Sequence, residues 1–370
     1  MRLRPLATTI CGVFLVIVAT ACTHAAEAES IGQQLDGYMQ VQVKRNHFTG
    51  TVLVARNTRI ILARGYGYAN AEWRTPNTLR TKFRLGSLTK QFTATAIMQL
   101  RERGLLDLQD SICKHVQPCG EVWMPVTLHH LLSHTSGIAG YGQRADPFRN
   151  VSLEFAPGAR WQYSDWGYCL LGLVIENVTG KPYAQVLREQ IFDPLGMHDT
   201  GYDRDEKILE HRAAGYRLVN GQLENAGYID MAGPYAAGGL YSTADDLYKW
   251  DRALYTESIL PRNALGLMWT EVLSNYGYGW MVSTPESASK PPWALPNRFQ
   301  VVHPGSINGF TSEILRFPNE HVTVIVLANL QDAHVVGPEL AAMVLGDSYS
   351  LASPHARDVR GRMQRLQLDP

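Results

Sequence analysis

The sequence predicts an α/β fold in which a mixed antiparallel sheet, built from both chain ends, is flanked by helices and carries an inserted all-helical region. Three observations predict it. Short apolar segments typical of strands occur before residue 64 and again after residue 279, and helical apolar spacing dominates about residues 88–235. Because the apolar face of a sheet must be covered by another layer, strands at both ends around a helical middle favour one composite sheet.

The first predicted elements are a helix and a β-hairpin. Apolar residues recur at a helical spacing over residues 31–43. Two apolar segments, 51–54 and 60–63, flank the polar stretch 56–59 and predict two strands joined by a turn. A long amphipathic helix follows Ser87, and Gly104 is placed to end it.

The middle and the C-terminal part complete the predicted layers. Predicted helices cover residues 128–132, 168–178 and 183–192, and predicted strands cover residues 279–282, 299–302, 311–317 and 322–328, before a closing helix at 340–345. We expect one domain over residues 29–350, with its helical insertion at about 88–235, and a polar tail at 351–370.

The composition is that of an ordinary globular protein. The chain has 370 residues, of which 45% are hydrophobic and 18% charged, which fits one large domain or two intertwined ones. Lysine plus arginine equals aspartate plus glutamate, at 34 each, so the formal net charge is zero. Because there is no basic stripe, and the 17 tyrosines are scattered, nucleic acid is not an expected partner.

Residues 1–28 predict an export signal. Arg2 and Arg4 precede an apolar run over residues 6–21, which small residues follow. The run is shorter than the ~20 residues of a membrane span. We therefore expect an exported protein, periplasmic or secreted. Two alternatives stay open. The segment could remain as an uncleaved anchor, or the protein could be a lipoprotein tethered to the membrane through Cys22. The leucine that usually stands three residues before such a cysteine is absent.

The cysteines agree with export. Cys113 and Cys119 are six residues apart, and we predict that they form a disulfide in an oxidising compartment. Cys169 lies in an apolar run and is expected to be a small buried hydrophobic residue rather than a reactive thiol.

The motif S-x-x-K is the strongest chemical signal. The sequence has no G-x-S-x-G, H-E-x-x-H, P-loop or G-x-G-x-x-G motif, which disfavours several other classes of enzyme. S-x-x-K occurs three times, starting at Ser87, Ser111 and Ser287. Ser287 lies in a Pro/Ser-rich stretch, and Ser111 follows a helix end beside the predicted disulfide. Only Ser87 opens a long amphipathic helix, so it is the candidate nucleophile.

The spacing of Ser87 and Lys90 has a physical meaning. Residues three apart on a helix share a face, so Lys90 can reach the Ser87 hydroxyl. The helix N-terminus offers positive potential and free N–H groups where an oxyanion would form. Partial burial would lower the lysine pKa and allow it to accept a proton. The alternative is an N-cap serine with an exposed lysine.

Two further motifs indicate a family. Tyr163-Ser164-Asp165 precedes a predicted helix, and His303-Pro304-Gly305-Ser306 follows a predicted strand. The order S-x-x-K, Y-S-[ND], [KH]-x-G resembles the serine β-lactamase-related family, which includes class C β-lactamases, D-alanyl-D-alanine carboxypeptidases, esterases and D-aminopeptidases. Similar stretches run from about residue 30 to 345 and include 131–137, 237–243 and 306–310. The resemblance implies a β-lactamase/transpeptidase-like fold with the active site between its two regions.

The resemblance also implies roles for individual residues. Ser87 would be the acylated nucleophile, and Lys90 and Tyr163 would share the work of general base, with the choice between them left open. His303 would stand where the family has a lysine or histidine on the active-site strand, within the [KH]-x-G motif that contains Gly305. The backbone N–H groups of Ser87 and Ser306 would form the oxyanion hole.

Asp165 departs from the usual family pattern. Many members have asparagine there, which both donates and accepts hydrogen bonds, whereas an ionised aspartate only accepts. Close to Lys90, a carboxylate would favour the charged lysine, which is the wrong form for a base. We therefore expect esterase activity and poor β-lactam turnover, unless Asp165 points away and caps the following helix.

No metal or other cofactor is expected. His129, His130 and His134 are close in sequence, but no acidic or cysteine ligand accompanies them in a known zinc pattern.

The leading functional hypothesis is a serine hydrolase acting through an acyl-enzyme on an ester, a D-amino-acid peptide or a β-lactam. The alternative is a catalytically weak penicillin-binding-like protein that senses or binds cell-wall peptides. A small-molecule or peptide substrate is the expected partner, and the sequence leaves the oligomeric state open.

Overall fold

The computed structural model describes residues 30–139 and 152–347, except residues 288, 292 and 335. The predicted export signal, Cys22 and the polar tail lie outside these residues. Within the described part, no helix has both the length and the apolar character needed to cross a membrane.

The central sheet has six antiparallel strands. In spatial order they are β10 (Met281–Ser283), β11 (Gln300–Ile307), β12 (Phe310–Phe317), β13 (Val322–Ala328), β1 (Gly50–Arg56) and β2 (Arg59–Tyr66). Strand β1 pairs with β13 along its whole length, with Gly50 opposite Ala328 and Arg56 opposite Val322. The predicted sheet from both chain ends is confirmed.

Helices cover both faces of this sheet. Along β1, Val52 and Val54 join a core with helix α1 (residues 30–44) and helix α10 (Gly337–Leu345). The alternate residues Leu53 and Ala55 join the second core, which lies between the sheet and the other helices. Because successive side chains of a strand point to opposite faces, burial on both sides explains why this strand is almost continuously apolar.

The helical region is packed on the second face of the sheet. Its helices are α2 (Thr89–Glu102), α3 (Ile112–His115), α4 (Leu128–Leu132), α5 (Asp165–Thr179), α6 (Tyr183–Leu187), α7 (Tyr235–Gly238), α8 (Ala244–Ala253) and α9 (Arg262–Met268), with 3₁₀ turns at Gly86–Leu88 and Glu121–Trp123 and a π-helical turn at Arg188–Phe192. The predicted helix end at Gly180 is confirmed.

Short strands flank the helical region and, over residues 201–225, interrupt the part up to about residue 235 that we predicted to be mostly helical. They are β3 (Tyr68–Asn70) with β4 (Thr75–Pro76), β5 (Phe83–Arg84) with β9 (Leu240–Ser242) and β6 (Gly201–Tyr202), and β7 (Tyr216–Val219) with β8 (Gln222–Asn225). The prediction was wrong over residues 201–225. Asn220-Gly221 joins β7 to β8 and is a common hairpin turn.

One predicted strand begins later than expected. Residues 279–282 were predicted, but β10 starts at Met281. Gly279 has φ of 73°, in the left-handed region, and a Cβ at this position would lie 2.7 Å from the carbonyl oxygen of Lys90. A strand cannot run through that conformation, so the chain first passes α2 and then enters the sheet.

Cys113, which lies in α3, is joined to Cys119 by a disulfide. We predict that Cys113→Ser lowers the free energy of unfolding by about 2–3 kcal/mol, because opening a short loop increases the entropy of the unfolded chain. Chemical denaturation with and without reductant measures this, and non-reducing mass analysis of the native peptide should show one internal bridge. Two free thiols in protein from an oxidising compartment would contradict the prediction.

Cys169 is partly buried and has no disulfide partner, and burial raises its pKa to about 12, as expected for an unreactive thiol.

Candidate active site

Ser87 lies in the 3₁₀ turn directly before α2. Gly86 has φ of 52°, and a Cβ at this position would lie 2.7–2.9 Å from the backbone of Ser306, so glycine allows the turn to approach β11. The residue that caps α2 is Leu88, with no side-chain hydrogen bond. Ser87 is therefore not an N-cap, and its hydroxyl is available for another partner.

Lys90 is that partner, and it is completely buried. Its Nζ donates to Ser87 Oγ at 3.2 Å, to Asp165 Oδ1 at 2.5 Å and to the carbonyl oxygen of Ala237 at 2.9 Å. The alternative of an exposed lysine beside a capping serine does not describe this geometry. The Ala237 carbonyl was not predicted as part of the site, although it lies in the family-like stretch 237–243.

The charge state of Lys90 agrees with the prediction made for Asp165 and not with the one made from burial alone. Burial acts to lower the lysine pKa, as the sequence suggested. The carboxylate of Asp165 and the hydroxyl of Tyr163 act in the opposite direction and outweigh burial, so the pKa of Lys90 lies above its usual value. In the resting site, Lys90 is therefore an ammonium group that must lose a proton before it can act as a base.

Asp165 is held in place by the start of α5. The cap of this helix is Ser164, whose hydroxyl accepts the N–H of Gly167 at 3.2 Å. Asp165 is thus not the capping residue, which removes the alternative considered from the sequence. Its carboxylate is free to pair with Lys90, and its side chain stays 25% exposed.

Tyr163 completes a cluster around the Ser87 hydroxyl. Its hydroxyl interacts with Lys90 and Ser87, and burial raises the pKa of Tyr163, which the charge of Lys90 only partly opposes. The Tyr163 ring centroid is 4.7 Å from Lys90 Nζ. The structure therefore brings together the four residues that the first two motifs supplied.

His303 is buried and neutral. Its Nδ1 lies 2.6 Å from the carbonyl oxygen of Pro304, to which it donates, so Nε2 accepts from the Tyr276 hydroxyl at 3.0 Å. Burial and then the nearby charge of Lys90 lower the pKa of His303 to about 3. At neutral pH, this position offers no cation to a substrate.

Gly305 and Ser306 lie on the open edge of β11. Strand β10 pairs with β11 only as far as Val302, so no strand of the described residues pairs with the edge from His303 to Ser306. Gly305 packs against the Leu85 carbonyl, and Ser306 packs against Gly86. The open edge therefore borders the turn that carries Ser87, as the oxyanion prediction requires.

Sequence reasoning missed the part that His134 plays in the site. His134 is buried, and its Nδ1 accepts the N–H of Ser164 at 3.1 Å. Its ring centroid lies 4.3 Å from that of Tyr163 and 4.7 Å from that of Tyr276. His134 thus supports the turn that presents Tyr163 and Asp165. The available signal was its place in the family-like stretch 131–137.

The neighbouring histidines have structural partners. His130 Nδ1 accepts the backbone N–H of Thr127 in the cap of α4, and His129 Nδ1 pairs with the Tyr278 hydroxyl at 2.7 Å. In the ranges that the structure describes, no group of three or more His, Cys, Asp or Glu residues is arranged to hold a metal ion.

Comparisons with known proteins agree with this geometry. The family model Beta-lactamase matches residues 35–345. The putative penicillin-binding protein PbpX of Bacillus subtilis is 33% identical over 263 residues, which cover 68% of this chain and 65% of PbpX. The chain thus spans slightly less than two thirds of that relative.

Solved structures show the same fold. The octameric penicillin-binding protein homologue from Pyrococcus abyssi has a TM-score of 0.73 and 28% identity, covering 85% of this chain and 78% of the other. The D-amino acid amidase from Ochrobactrum anthropi SV3 has a TM-score of 0.70 and 25% identity, covering 85% and 96%. The chain belongs to the β-lactamase family.

Proposed function

We propose that this chain is a serine hydrolase that works through an acyl-enzyme on Ser87. The observation that carries the proposal is the contact between Ser87 Oγ and the buried Nζ of Lys90 at the head of α2. The Tyr163 hydroxyl and the open edge of β11 border the same point. A nucleophile, two candidate bases and candidate oxyanion donors therefore surround one small volume.

The reaction proceeds in two steps. The Ser87 hydroxyl gives its proton to deprotonated Lys90 or Tyr163 while Oγ bonds to the substrate carbonyl carbon. The N–H groups of Ser87 and Ser306 stabilise the oxyanion, which collapses as the bond to the leaving group breaks, and the leaving group takes the proton. Water then attacks the acyl-enzyme, which releases the acid and restores the Ser87 hydroxyl.

The substrate is an ester or an open-chain amide rather than the cyclic amide of a β-lactam. His303 is neutral and bonded through both ring nitrogens, so this position provides no cation for a substrate carboxylate. Lys90 is already paired with Asp165. The similarity to a D-amino acid amidase supports D-amino-acid substrates as one class within this proposal.

One observation favours a second candidate function. Because Asp165 keeps Lys90 protonated, the resting site holds its base in the inactive form. A catalytically weak penicillin-binding-like protein that senses or binds cell-wall peptides would tolerate this, since binding does not require a free base.

Export is part of the proposal. The Cys113–Cys119 disulfide supports an oxidising compartment, periplasmic or extracellular, and attachment through Cys22 would tether the protein to a membrane there. Metabolic lipid labelling of the cells that make the protein tests the tether.

Acylation can be tested directly by intact mass measurement. We expect the protein to gain one adduct with a fluorophosphonate, to turn over a p-nitrophenyl ester and to react slowly with penicillin. Tryptic mapping should locate the fluorophosphonate on the peptide that contains Ser87. A label on Ser111 or Ser287 would refute the assignment, and binding of cell-wall peptides without any acylation would favour the second candidate function.

A further inference from the structure

The two partners of the Lys90–Asp165 pair are unequally exposed. The Lys90 side chain has no exposed surface, whereas the Asp165 side chain is 25% exposed. Asp165 Oδ1 accepts the hydrogen bond from Lys90 Nζ, so the exposed member of the pair is the carboxylate side chain. Although the pair is neutral as a whole, its exposed partner is the negatively charged one.

The other groups around Lys90 do not cancel this charge. Besides Asp165, five titratable groups in the described part of the chain surround Lys90. Tyr168 and Cys169 lie in α5, and Tyr163 lies just before it. The other two are His134, which follows α4, and His303 on β11. Burial holds both histidines neutral by lowering their pKa values, and it raises those of the other three. Among the described residues, Lys90 is the one cation that pairs with Asp165.

The Asp165 carboxylate also lies close to the Ser87 hydroxyl. Lys90 Nζ is 3.2 Å from Ser87 Oγ and 2.5 Å from Asp165 Oδ1, so the two oxygens are at most 5.7 Å apart, the sum of these distances. A reacting carbonyl carbon approaches its nucleophile to roughly 3 Å. An ammonium–carboxylate hydrogen bond spans roughly 2.8 Å. A group one carbon away from the scissile carbonyl can therefore reach Asp165.

We propose that Asp165 binds an ammonium group next to the carbonyl that Ser87 attacks, so that the preferred acyl group is an α-aminoacyl group. The inference rests on the proposed acylation of Ser87 and names the substrate class. An ionised carboxylate only accepts hydrogen bonds, so it pairs with a donor and is most strongly attracted to a cationic one. It repels a carboxylate at the same place, and a neutral acyl chain gains nothing from it.

Three esters with one leaving group test the inference. We propose to compare kcat/KM for alanine benzyl ester in its D and L forms, propionic acid benzyl ester and succinic acid monobenzyl ester, at a pH about one unit below the pKa of the alanine amine. The better alanine ester should exceed the propionic ester about tenfold, since a hydrogen bond between charged groups contributes about that factor, and the succinic ester should be the slowest. Equal rates for all three would overturn the inference.

A matched pair of variants assigns the preference to Asp165. Asp165→Asn should lower the ratio between the alanine and propionic esters by about tenfold, the factor expected from the contact with Asp165. Asp230→Asn removes the same charge from an exposed residue whose carboxylate accepts the N–H of Ala232, and it should leave the ratio unchanged. A preference that survives Asp165→Asn, or one that Asp230→Asn abolishes, would contradict the proposal.

Failure of this inference is distinguishable from failure of the proposed function. Fluorophosphonate labelling of Ser87 and hydrolysis of the propionic ester report the hydrolase alone, and both are independent of a substrate ammonium group. Labelling with equal rates for the three esters would remove only the ammonium site. Absence of both labelling and ester hydrolysis would remove both proposals. If Asp165→Asn does not fold, as judged by thermal melting, the three-ester comparison in the native protein decides.

Discussion

Ser87→Ala is expected to lower kcat/KM for a p-nitrophenyl ester by at least about 10⁴-fold, because removing a nucleophile leaves only binding and oxyanion stabilisation. The substitution deletes the atom that Lys90 Nζ contacts at 3.2 Å and leaves the turn Gly86–Leu88 without a hydroxyl. Steady-state rates with the native protein and the variant at several pH values measure this. The adduct with a fluorophosphonate should also disappear.

The chain offers two matched controls for this experiment. Ser111 also starts an S-x-x-K sequence, but its hydroxyl accepts the N–H of Cys113 and caps α3. Ser287 accepts the N–H of Thr284 in a turn. Ser111→Ala and Ser287→Ala should keep the rate within about twofold, since neither residue contacts Lys90. A rate that is unchanged in Ser87→Ala, or lost in either control, would contradict the assignment of the nucleophile.

Local patterns predicted most of the fold, for a reason that β1 illustrates. Val52 and Leu53 are adjacent but point into different cores, so the strand is apolar at each position from Val52 to Ala55, and such a segment between turn residues is easily recognised. The need to bury such segments predicted one sheet from both chain ends, although the specific pairing of β1 with β13 was not predicted. The hairpin around Asn220-Gly221 also had a local signal, which the expectation of a helical middle caused us to overlook.

The chemical state of the site was less predictable because it depends on contacts between distant residues. The spacing of Ser87 and Lys90 places them on one face of a helix, but it does not reveal that Lys90 is fully buried. Its partner Asp165 is 75 residues away along the chain. Whether burial or the carboxylate decides the lysine pKa follows only from their distance. The support that His134 gives to Tyr163 is likewise a packing contact, with no periodicity to indicate it.

The charge of Lys90 leads to a large expected effect of Asp165→Asn on the pH dependence. In the native protein, Asp165 raises the pKa of Lys90, so the active, neutral form of the lysine becomes common only at high pH. An asparagine keeps the shape and removes the negative charge. The pKa of Lys90 should then fall, and the acid limb of the kcat/KM profile should move to lower pH by about one to three units, the usual effect of a neighbouring charge.

The same substitution should change the substrate range. Asparagine can donate a hydrogen bond to a substrate carbonyl, and it does not repel a carboxylate. Penicillin or a cephalosporin should therefore acylate the Asp165→Asn variant faster than the native protein. Mass-detected acylation rates and ester pH profiles measure both effects on one preparation, and Asp230→Asn, with the same charge change at an exposed site, should show neither. An acid limb that stays in place would mean that Tyr163 rather than Lys90 limits the deprotonation of Ser87. Efficient cephalosporin hydrolysis by the native protein, unaffected by Asp165→Asn, would refute the electrostatic role of Asp165 while leaving Ser87 as the nucleophile.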